Sequence, residues 1–329
     1  MKIIIVDLEY DYGQITRGKN NIGQLGFKAS FENLGHEVFP FYYDAFIEGQ
    51  SAKLQTELIA YAEKVNPDLI FFCLFRDQFS FETLDVLKSK YITLNWFGDD
   101  TWRFDNFTKD YALHFGFCVT TDKFSIPKYK ALGVENVIHA QWAAIDDKRE
   151  IKPLPYKYDI SFVGGFNLYR SWFIKELEKA GLKVHCFGHG WKNGALSNDE
   201  MINTFTTSKI NLNLSDSASF DLRYLLSNIK SLPHTLHTKK HASQIKARNF
   251  EINYYAGFQL ADYVPGLEDY YIIGKEICCY STLEDAITQC RYYLENDQIR
   301  EEIRDQGMKK ARSNYTYQSQ IKNLLDQLK

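Results

Sequence analysis

The sequence predicts an α/β protein built from two halves, each with a parallel sheet. Short runs rich in β-branched and aromatic residues alternate with longer amphipathic stretches, which is the order of elements in right-handed β-α-β crossovers. Several runs, such as residues 68–75, are apolar almost throughout, as expected of strands that are covered on both faces. The alternation stops once, near residue 150, and then begins again.

The first half contains six predicted strands and five predicted helices. The strands are expected at residues 2–8, 37–43, 68–75, 91–98, 117–122 and 137–143. The helices between them are expected at residues 22–34, 52–65, 79–88, 101–113 and 124–131. The following stretch, residues 146–158, is polar, charged and contains two prolines, which is typical of a linker.

The second half repeats the alternation. Strands are expected at residues 158–165, 183–188, 209–215 and 258–264, and helices at residues 168–180, 197–207, 249–255 and 282–295. Ser197 and Glu200 have the spacing of a capping box, and Ser281 and Glu284 repeat it.

These patterns predict three segments. Residues 1–150 form an N-terminal Rossmann-like domain and residues 151–312 a C-terminal one. Residues 313–329 form a C-terminal helix whose apolar residues fall on one stripe, and a return of this helix to the N-terminal domain is one option for covering that stripe.

The composition disfavours a nucleic-acid binder and a membrane span. The chain has 329 residues and a formal net charge of −3, whereas nucleic-acid-binding domains usually carry a basic excess. No window approaches the roughly 18 apolar residues of a spanning helix, and the first residues lack a signal-peptide core. The six scattered cysteines show no CxxC pairing and are typical of reduced thiols. We therefore expect a cytoplasmic protein.

The residues just after each strand are the candidates for ligand binding, because open parallel sheets bind ligands outside the carboxyl ends of their strands. After the strand at 158–165, Gly164 and Gly165 would let backbone amides approach a phosphate, and Arg170 lies one turn into the next helix. A tight turn without a ligand explains the two glycines equally well.

The next loop, after the strand at 183–188, carries an imidazole and a large flat ring. Gly188 and Gly190 flank His189, and Trp191 follows. Such a loop suits a nucleotide or a sugar. A glycine turn with a tryptophan in the core is the alternative.

A third candidate precedes the strand at 258–264. Glu251 is expected in the first turn of a short helix, where a carboxylate is electrostatically favoured, and Lys246 and Arg248 lie just upstream. The carboxylate could accept hydrogen bonds from two sugar hydroxyls, and the cations could neutralise a diphosphate. By charge pattern alone, an ordinary helix start with solvated cations is the simpler interpretation.

Residues 244–286 resemble the C-terminal signature of the CgeB-like (spore-maturation protein) glycosyltransferases of the GT-B group. The similar parts include IKARNFE, the helix ending in AG, GLEDYY and GKEI. The resemblance extends over about residues 158–312 and is only topological for residues 1–150. The tyrosines in NYYAG depart from it, because relatives usually have small residues there.

The resemblance implies two Rossmann-like domains with parallel sheets facing a central cleft, and a nucleotide-sugar donor held mainly by the C-terminal domain. It matches Glu251 with a carboxylate that binds donor hydroxyls, and Lys246 and Arg248 with cations near the diphosphate. Asn249 lies within the same motif. The donor-binding residues are thus expected to be Gly164, Gly165, Arg170, Gly188, His189, Trp191, Lys246, Arg248, Asn249 and Glu251.

The N-terminal half offers a candidate base. Asp99 and Asp100 follow the strand at 91–98 and would face the cleft, with Arg103 near enough to pair with either. Transfer with inversion needs a base for the acceptor hydroxyl, and capping of the next helix is the alternative role.

We expect no metal cofactor. No DxD motif stands at the end of a strand, and His234, His237 and His241 straddle the cationic TKK sequence, which disfavours a metal site.

The sequence therefore predicts a nucleotide-sugar-dependent glycosyltransferase that is independent of metal. Its acceptor, a glycan, a lipid-linked molecule or a protein, is unidentified. A nucleotide-sugar 2-epimerase of the same fold and a non-catalytic two-lobed binding protein are the alternatives.

Overall fold

The chain divides into two compact α/β units, described in a computed structural model for residues 1–46, 50–151, 154–240 and 242–328. One unit comprises residues Met1–Asp146 together with Tyr317–Lys329, and the other comprises Asp147–Thr316. Each is built around a parallel sheet with helices packed on it. This confirms the predicted α/β class with two Rossmann-like domains.

The first unit has a six-stranded sheet in the order β2-β1-β3-β4-β5-β6, with all neighbouring strands parallel. Its strands are β1 (Lys2–Asp7), β2 (Glu37–Tyr42), β3 (Leu69–Phe72), β4 (Ile92–Phe97), β5 (Phe117–Thr120) and β6 (Val137–His139). All six match strands that were expected from the sequence.

The helices of the first unit cover both faces of this sheet. They are α1 (Ala29–Asn33), α2 (Ser51–Val65), α3 (Phe81–Lys90), α4 (Asp100–Arg103), α5 (Thr108–Tyr111) and α6 (Ile126–Ala131). A π-helical run, Ile22–Lys28, leads directly into α1. The prediction of one helix over 101–113 was wrong, because 3-10 turns at Phe104–Asn106 and Ala112–His114 interrupt it.

The second unit has a five-stranded parallel sheet in the order β11-β10-β9-β7-β8. Its strands are β7 (Tyr158–Val163), β8 (Val184–Phe187), β9 (Ser208–Asn213), β10 (Gln259–Asp262) and β11 (Cys278–Tyr280). Its helices are α7 (Leu168–Lys179), α8 (Asn198–Thr206), α9 (Leu222–Ser227), α10 (Ser231–His237), α11 (Arg248–Tyr254), α12 (Leu283–Glu295) and α13 (Asp297–Asn314).

The last helix, α14 (Tyr317–Asp326), completes the core of the first unit. Its Ile321 and Leu324 are fully buried with Ile3 and Ile5 of β1. Burial of an aliphatic side chain of this size contributes about 1.5–3 kcal/mol to folding. The helix is therefore part of the first core although it follows the whole second unit in the chain.

The capping predictions have different outcomes. Ser197 and Glu200 form the expected capping box at the start of α8. At α12 the cap is shifted by one residue, because Thr282, not Ser281, accepts a hydrogen bond from the backbone N–H of Asp285.

The two sheets share a pattern of strand order. In each, the second strand in the chain pairs with one side of the first strand, and the third strand pairs with its other side. The strand order therefore reverses between β1 and β3 in the first sheet and between β7 and β9 in the second. The connections leave these neighbouring strands in opposite directions, which opens a crevice at their carboxyl ends. These two switch points are where functional side chains are expected.

Candidate functional site

The loops after β7 and β8 pack closely against each other. Gly188 has φ +129°, and a Cβ built on it would lie 2.2 Å from the carbonyl oxygen of Gly164. Trp191 donates from Nε1 to the same oxygen at 2.9 Å and packs edge-on against Phe166. Gly188 and Trp191 therefore hold the two loops together. This agrees with the alternative interpretation of these residues, a glycine turn with a packed tryptophan.

Two other positions in these loops are open. A Cβ on Gly165 would meet no atom within 4 Å. His189 is exposed, and its backbone oxygen accepts a hydrogen bond from Phe166 N at 2.9 Å, which leaves the imidazole at the surface of the loop. Gly165 and His189 are thus the parts of this edge that a ligand can approach.

Arg170 spans the switch point of the second sheet. It is held one turn into α7, where its backbone N–H donates to the N-cap side chain of Asn167 at 2.8 Å. Its guanidinium donates to the carbonyl oxygens of Gly165 at 2.9 Å and Ser215 at 3.3 Å, and so joins the loop after β7 to the loop after β9. Its Nε is buried and has no partner among the described residues.

Two carboxylates that the sequence analysis did not single out lie beside Arg170. Asp262 at the end of β10 accepts hydrogen bonds from Ser215 N at 2.8 Å and Ser215 Oγ at 2.5 Å. Asp216 accepts one from Ser243 Oγ at 2.5 Å. Burial raises the pKa of both carboxyls, and for Asp262 the nearby Asp216 adds to the effect. Arg170 counteracts these shifts through its positive charge.

The segment before α11 brings further charges to this edge. Lys246 lies within electrostatic range of Asp216, and its backbone N–H donates to Asn249 Oδ1 at 3.0 Å. Asn249 is fully buried, and its Nδ2 has no partner among the residues that the structure describes. Its side chain thus fixes the turn into α11 and retains a donor.

Glu251 lies in the first turn of α11, as expected. Its carboxylate is paired with Arg248 at 2.8 Å, and the residue is 8% exposed. Arg248 in turn lies near enough to Arg170 for the two charges to interact. The structure therefore brings Arg170, Lys246, Arg248 and Glu251 into one cluster.

The two tyrosines of NYYAG, which depart from the CgeB-like pattern, have side chains that contact Arg312 and Asp147. Tyr254 packs under the guanidinium of Arg312 on α13, at 5.2 Å from the ring centroid. Arg312 also donates to the backbone oxygen of Tyr254 at 3.0 Å. Tyr255 is buried, and its hydroxyl lies 3.5 Å from Asp147 Oδ2. These large side chains fill the space between α11 and its neighbours.

In the first unit, Asp100 has a different setting from the one expected. It is 1% exposed, and its two oxygens accept hydrogen bonds from Thr108 Oγ1 and Tyr129 Oη, both at 2.6 Å. Burial raises its pKa to about 6. Because both oxygens face the interior, the expectation that Asp100 faces a ligand is corrected: it joins α4 to α5 and α6.

Asp99 is the more accessible of the pair. It precedes α4 and makes no capping hydrogen bond with its side chain, so the capping alternative does not describe it. Arg103 lies within electrostatic range of its carboxylate and donates to Phe75 O at 2.9 Å.

Asp7 is a further carboxylate that the sequence analysis did not identify. It ends β1 at the switch point of the first sheet and is buried, accepting from Leu8 N at 2.7 Å and Asn20 Nδ2 at 3.2 Å. A Cβ on Gly23 would lie 2.3 Å from Oδ2. Burial raises the pKa of Asp7 to about 8, and Asp44 adds to the shift.

The histidines of α10 bind backbone oxygens. A ring nitrogen of His234 lies 3.1 Å from Ser217 O, and one of His237 lies 2.7 Å from Pro233 O; His241 lies outside the described residues. Within the described ranges, no three His, Cys, Asp or Glu side chains are grouped to hold a metal ion. In the same ranges, no helix has the length and apolarity needed to cross a bilayer.

A family model matches part of the chain. Residues 170–326, which contain all four residues of the cluster, match the family model described as "Glycosyl transferase-like". No curated protein sequence is significantly similar to the chain.

Several solved structures share the fold over the full chain. Sucrose-phosphate synthase from Thermosynechococcus elongatus is 12% identical, with a TM-score of 0.64 over 100% of this chain and 99% of that one. HepE from Anabaena, solved with UDP and glucose, is 10% identical, with a TM-score of 0.61 over 100% and 99%. A glycosyltransferase from Rickettsia africae is 10% identical, with a TM-score of 0.60 over 99% and 97%.

These neighbours define the class of fold as GT-B, the fold that was expected. Within that class, the family match confirms the predicted kind of enzyme, a glycosyltransferase.

Two neighbouring glycines should respond differently to alanine. Gly188→Ala should lower the free energy of unfolding by about 2 kcal/mol or more, because the new Cβ meets backbone and φ is positive. Gly165→Ala should change it by less than about 0.5 kcal/mol. Urea denaturation measures both, and equal losses would contradict the contact between the two loops.

Asp7 should make the protein less stable as pH rises. Its pKa in the folded state, about 8, exceeds the ordinary value of about 3.9. The folded state therefore holds a proton that the unfolded state releases between those values, and stability falls across this window.

Asp7→Asn removes this titration. We expect the free energy of unfolding to fall less between about pH 5 and pH 8 in the variant, with a difference on the order of a few kcal/mol. Other carboxyls titrate in both the wild type and the variant. The difference between the two proteins in the pH dependence of the free energy of unfolding therefore isolates Asp7. Parallel profiles would contradict the assignment.

Proposed function

We propose that the protein transfers a sugar from a uridine diphosphate sugar, and that the second unit binds this donor at the β7/β9 switch point. The observation that carries the proposal is the cluster of Arg170, Lys246, Arg248 and Glu251 at the carboxyl edge of the sheet, within the matched segment. HepE, which has the same fold, was solved with UDP.

The cluster supplies what a diphosphate donor requires. Arg170 is fixed by two backbone carbonyls and retains a buried Nε. Lys246 and Arg170 both lie within electrostatic range of Asp216. Their charges stabilise the negative charge that develops on the diphosphate as the glycosidic bond breaks. Gly165 leaves room for a phosphate beside its backbone N–H. We propose that these cations act without a bound metal.

Glu251 is assigned to the donor's hydroxyl groups. A carboxylate offers about four lone-pair positions, so it can keep Arg248 on one oxygen and accept hydrogen bonds from sugar hydroxyls. The ion pair with Arg248 orients the carboxylate before the donor arrives. His189, on the open side of the neighbouring loop, and the spare Nδ2 donor of Asn249 are assigned to the same ligand.

Asp99 is the better candidate for the base. Asp100 has both oxygens occupied in the interior, whereas Asp99 is half-buried. Arg103 places a positive charge within electrostatic range of the Asp99 carboxylate.

We also propose that the protein belongs to the CgeB-like branch and acts in the cytoplasm. The first part rests on the motifs in residues 244–286. The second rests on the six cysteines, which are free thiols, as in a reducing compartment. The acceptor class stays open among glycans, lipid-linked molecules and proteins.

Glu251→Gln tests the donor site. We expect its affinity for UDP-sugars to fall about tenfold or more, because a charge-assisted hydrogen bond contributes about 1.5–3 kcal/mol. The measurement is a thermal-shift titration with the sugar donor that most stabilises the wild-type protein.

Glu284→Gln is the matched control. Glu284 also lies in the first turn of a helix and is paired with an arginine, Arg223, so it reproduces the local chemistry away from the cluster. An affinity of Glu251→Gln equal to that of this control would remove Glu251 from the donor site. A sugar converted on the same nucleotide without any acceptor would identify a 2-epimerase instead.

Asp99→Asn tests the base. We expect kcat for transfer to fall about 100-fold or more, in the range of general-base catalysis, while donor affinity changes little. Steady-state kinetics separates the two quantities. A near-normal kcat would exclude Asp99 as the base.

A further inference from the structure

The α10 helix presents its apolar side chains to solvent and its small polar ones to the protein. Ser231 and Thr235 lie one turn apart and are 1% and 0% exposed. Leu232 and Leu236, also one turn apart, are 49% and 63% exposed. A helix that only packs on a protein core has the opposite distribution. The outward face of α10 therefore suits an apolar neighbour.

Further exposed apolar side chains occur in residues 217–240, which we call the α9–α10 segment. Four more large apolar residues are 66–91% exposed: Phe220, Leu222, Leu226 and Ile229. The segment is nevertheless anchored, because Tyr224 is fully buried against Tyr169 and Trp172 of α7. Six large apolar side chains on one anchored segment exceed the scattered hydrophobic residues of an ordinary surface.

The charge of the segment is positive. Residues 217–240 contain one acidic residue, Asp221, and four basic residues, Arg223, Lys230, Lys239 and Lys240. Arg223 is already paired with Asp221 and Glu284. In a symmetric contact between two copies of the chain, the segment would face its own positive charge and be repelled. An anionic lipid surface offers both an apolar interior and a complementary charge.

We propose that the α9–α10 segment binds the surface of an anionic lipid bilayer. The exposed Leu and Ile side chains enter the boundary between head groups and acyl chains, and the lysines face lipid phosphates. The segment begins just after Asp216 and ends just before Ser243, which are hydrogen-bonded to each other at 2.5 Å. Both ends of the proposed lipid-binding segment therefore lie near the carboxyl edge of the second sheet.

The first test is co-sedimentation of the full chain with vesicles. We expect it to pellet with vesicles of phosphatidylcholine mixed with phosphatidylglycerol, and far less with phosphatidylcholine alone. Binding should weaken when NaCl rises from about 0.1 M to about 1 M, because the screening length falls from about 10 Å to about 3 Å. No pelleting with either vesicle, or equal pelleting with both, would overturn the proposal.

The second test removes the apolar face. The combined variant Leu226→Gln, Ile229→Gln and Leu236→Gln should lower the partition coefficient for anionic vesicles by at least about tenfold. Unchanged circular dichroism and melting temperature would establish that the variant is folded. Wild-type-like binding by the folded variant would overturn the proposal.

A control variant replaces three other exposed apolar residues, which lie outside the segment. The control substitutions are Ile15→Gln, Leu113→Gln and Ile272→Gln. The three residues are 71%, 49% and 57% exposed, respectively. This variant should bind vesicles like the wild type, and an equal loss would overturn the proposal. Sedimentation velocity adds the remaining outcome: a dimer that only the α9–α10 variant abolishes, without lipid binding, would assign the face to a second copy.

Discussion

The candidate site depends on a single side chain that bridges two loops. Arg170 donates to the carbonyl oxygens of Gly165 and Ser215, which follow two adjacent strands whose connections leave in opposite directions. An open crevice lies between two such loops, and Arg170 connects them across it. A guanidinium suits this task because its planar donors can satisfy two backbone acceptors and keep a charge for a ligand.

Around Arg170, negative and positive groups balance one another. Asp216 and Asp262 share the charge of Arg170, and their raised pKa values result from burial. A raised pKa makes a carboxyl easier to protonate, and a protonated carboxyl does not neutralise a neighbouring cation. In the proposed function, the same residues would support the loops and bind the diphosphate of the donor.

The sequence predicts the framework better than the chemistry. The apolar runs determine ten of the eleven strands, because a strand buried on both faces needs side chains that are apolar almost throughout. Gly164, Gly165 and Glu251 could be selected as candidates from the sequence because glycine pairs and helix-start carboxylates have local signatures. Asp7, Asp216 and Asp262 have no such signature: each is a single Asp in or after an apolar run, and only the strand order brings it to a switch point.

Some errors have a similar cause. The adjacent Asp99 and Asp100 are alike in sequence, yet tertiary packing directs Asp100 toward Thr108 and Tyr129. The sequence of α10 is amphipathic, but an outward apolar face cannot be told from an inward one until its surroundings are known. Burial, and not residue type, separates these cases.

The return of α14 to the first unit has a consequence for biosynthesis. Ribosomes deliver the chain from its amino end, and domains usually fold as they emerge. Here the face formed by Ile3, Ile5 and Phe27 stays uncovered until Ile321 and Leu324 are translated. The second unit can thus acquire its structure while the first still exposes an apolar surface to chaperones, so the domain made first is the one completed last.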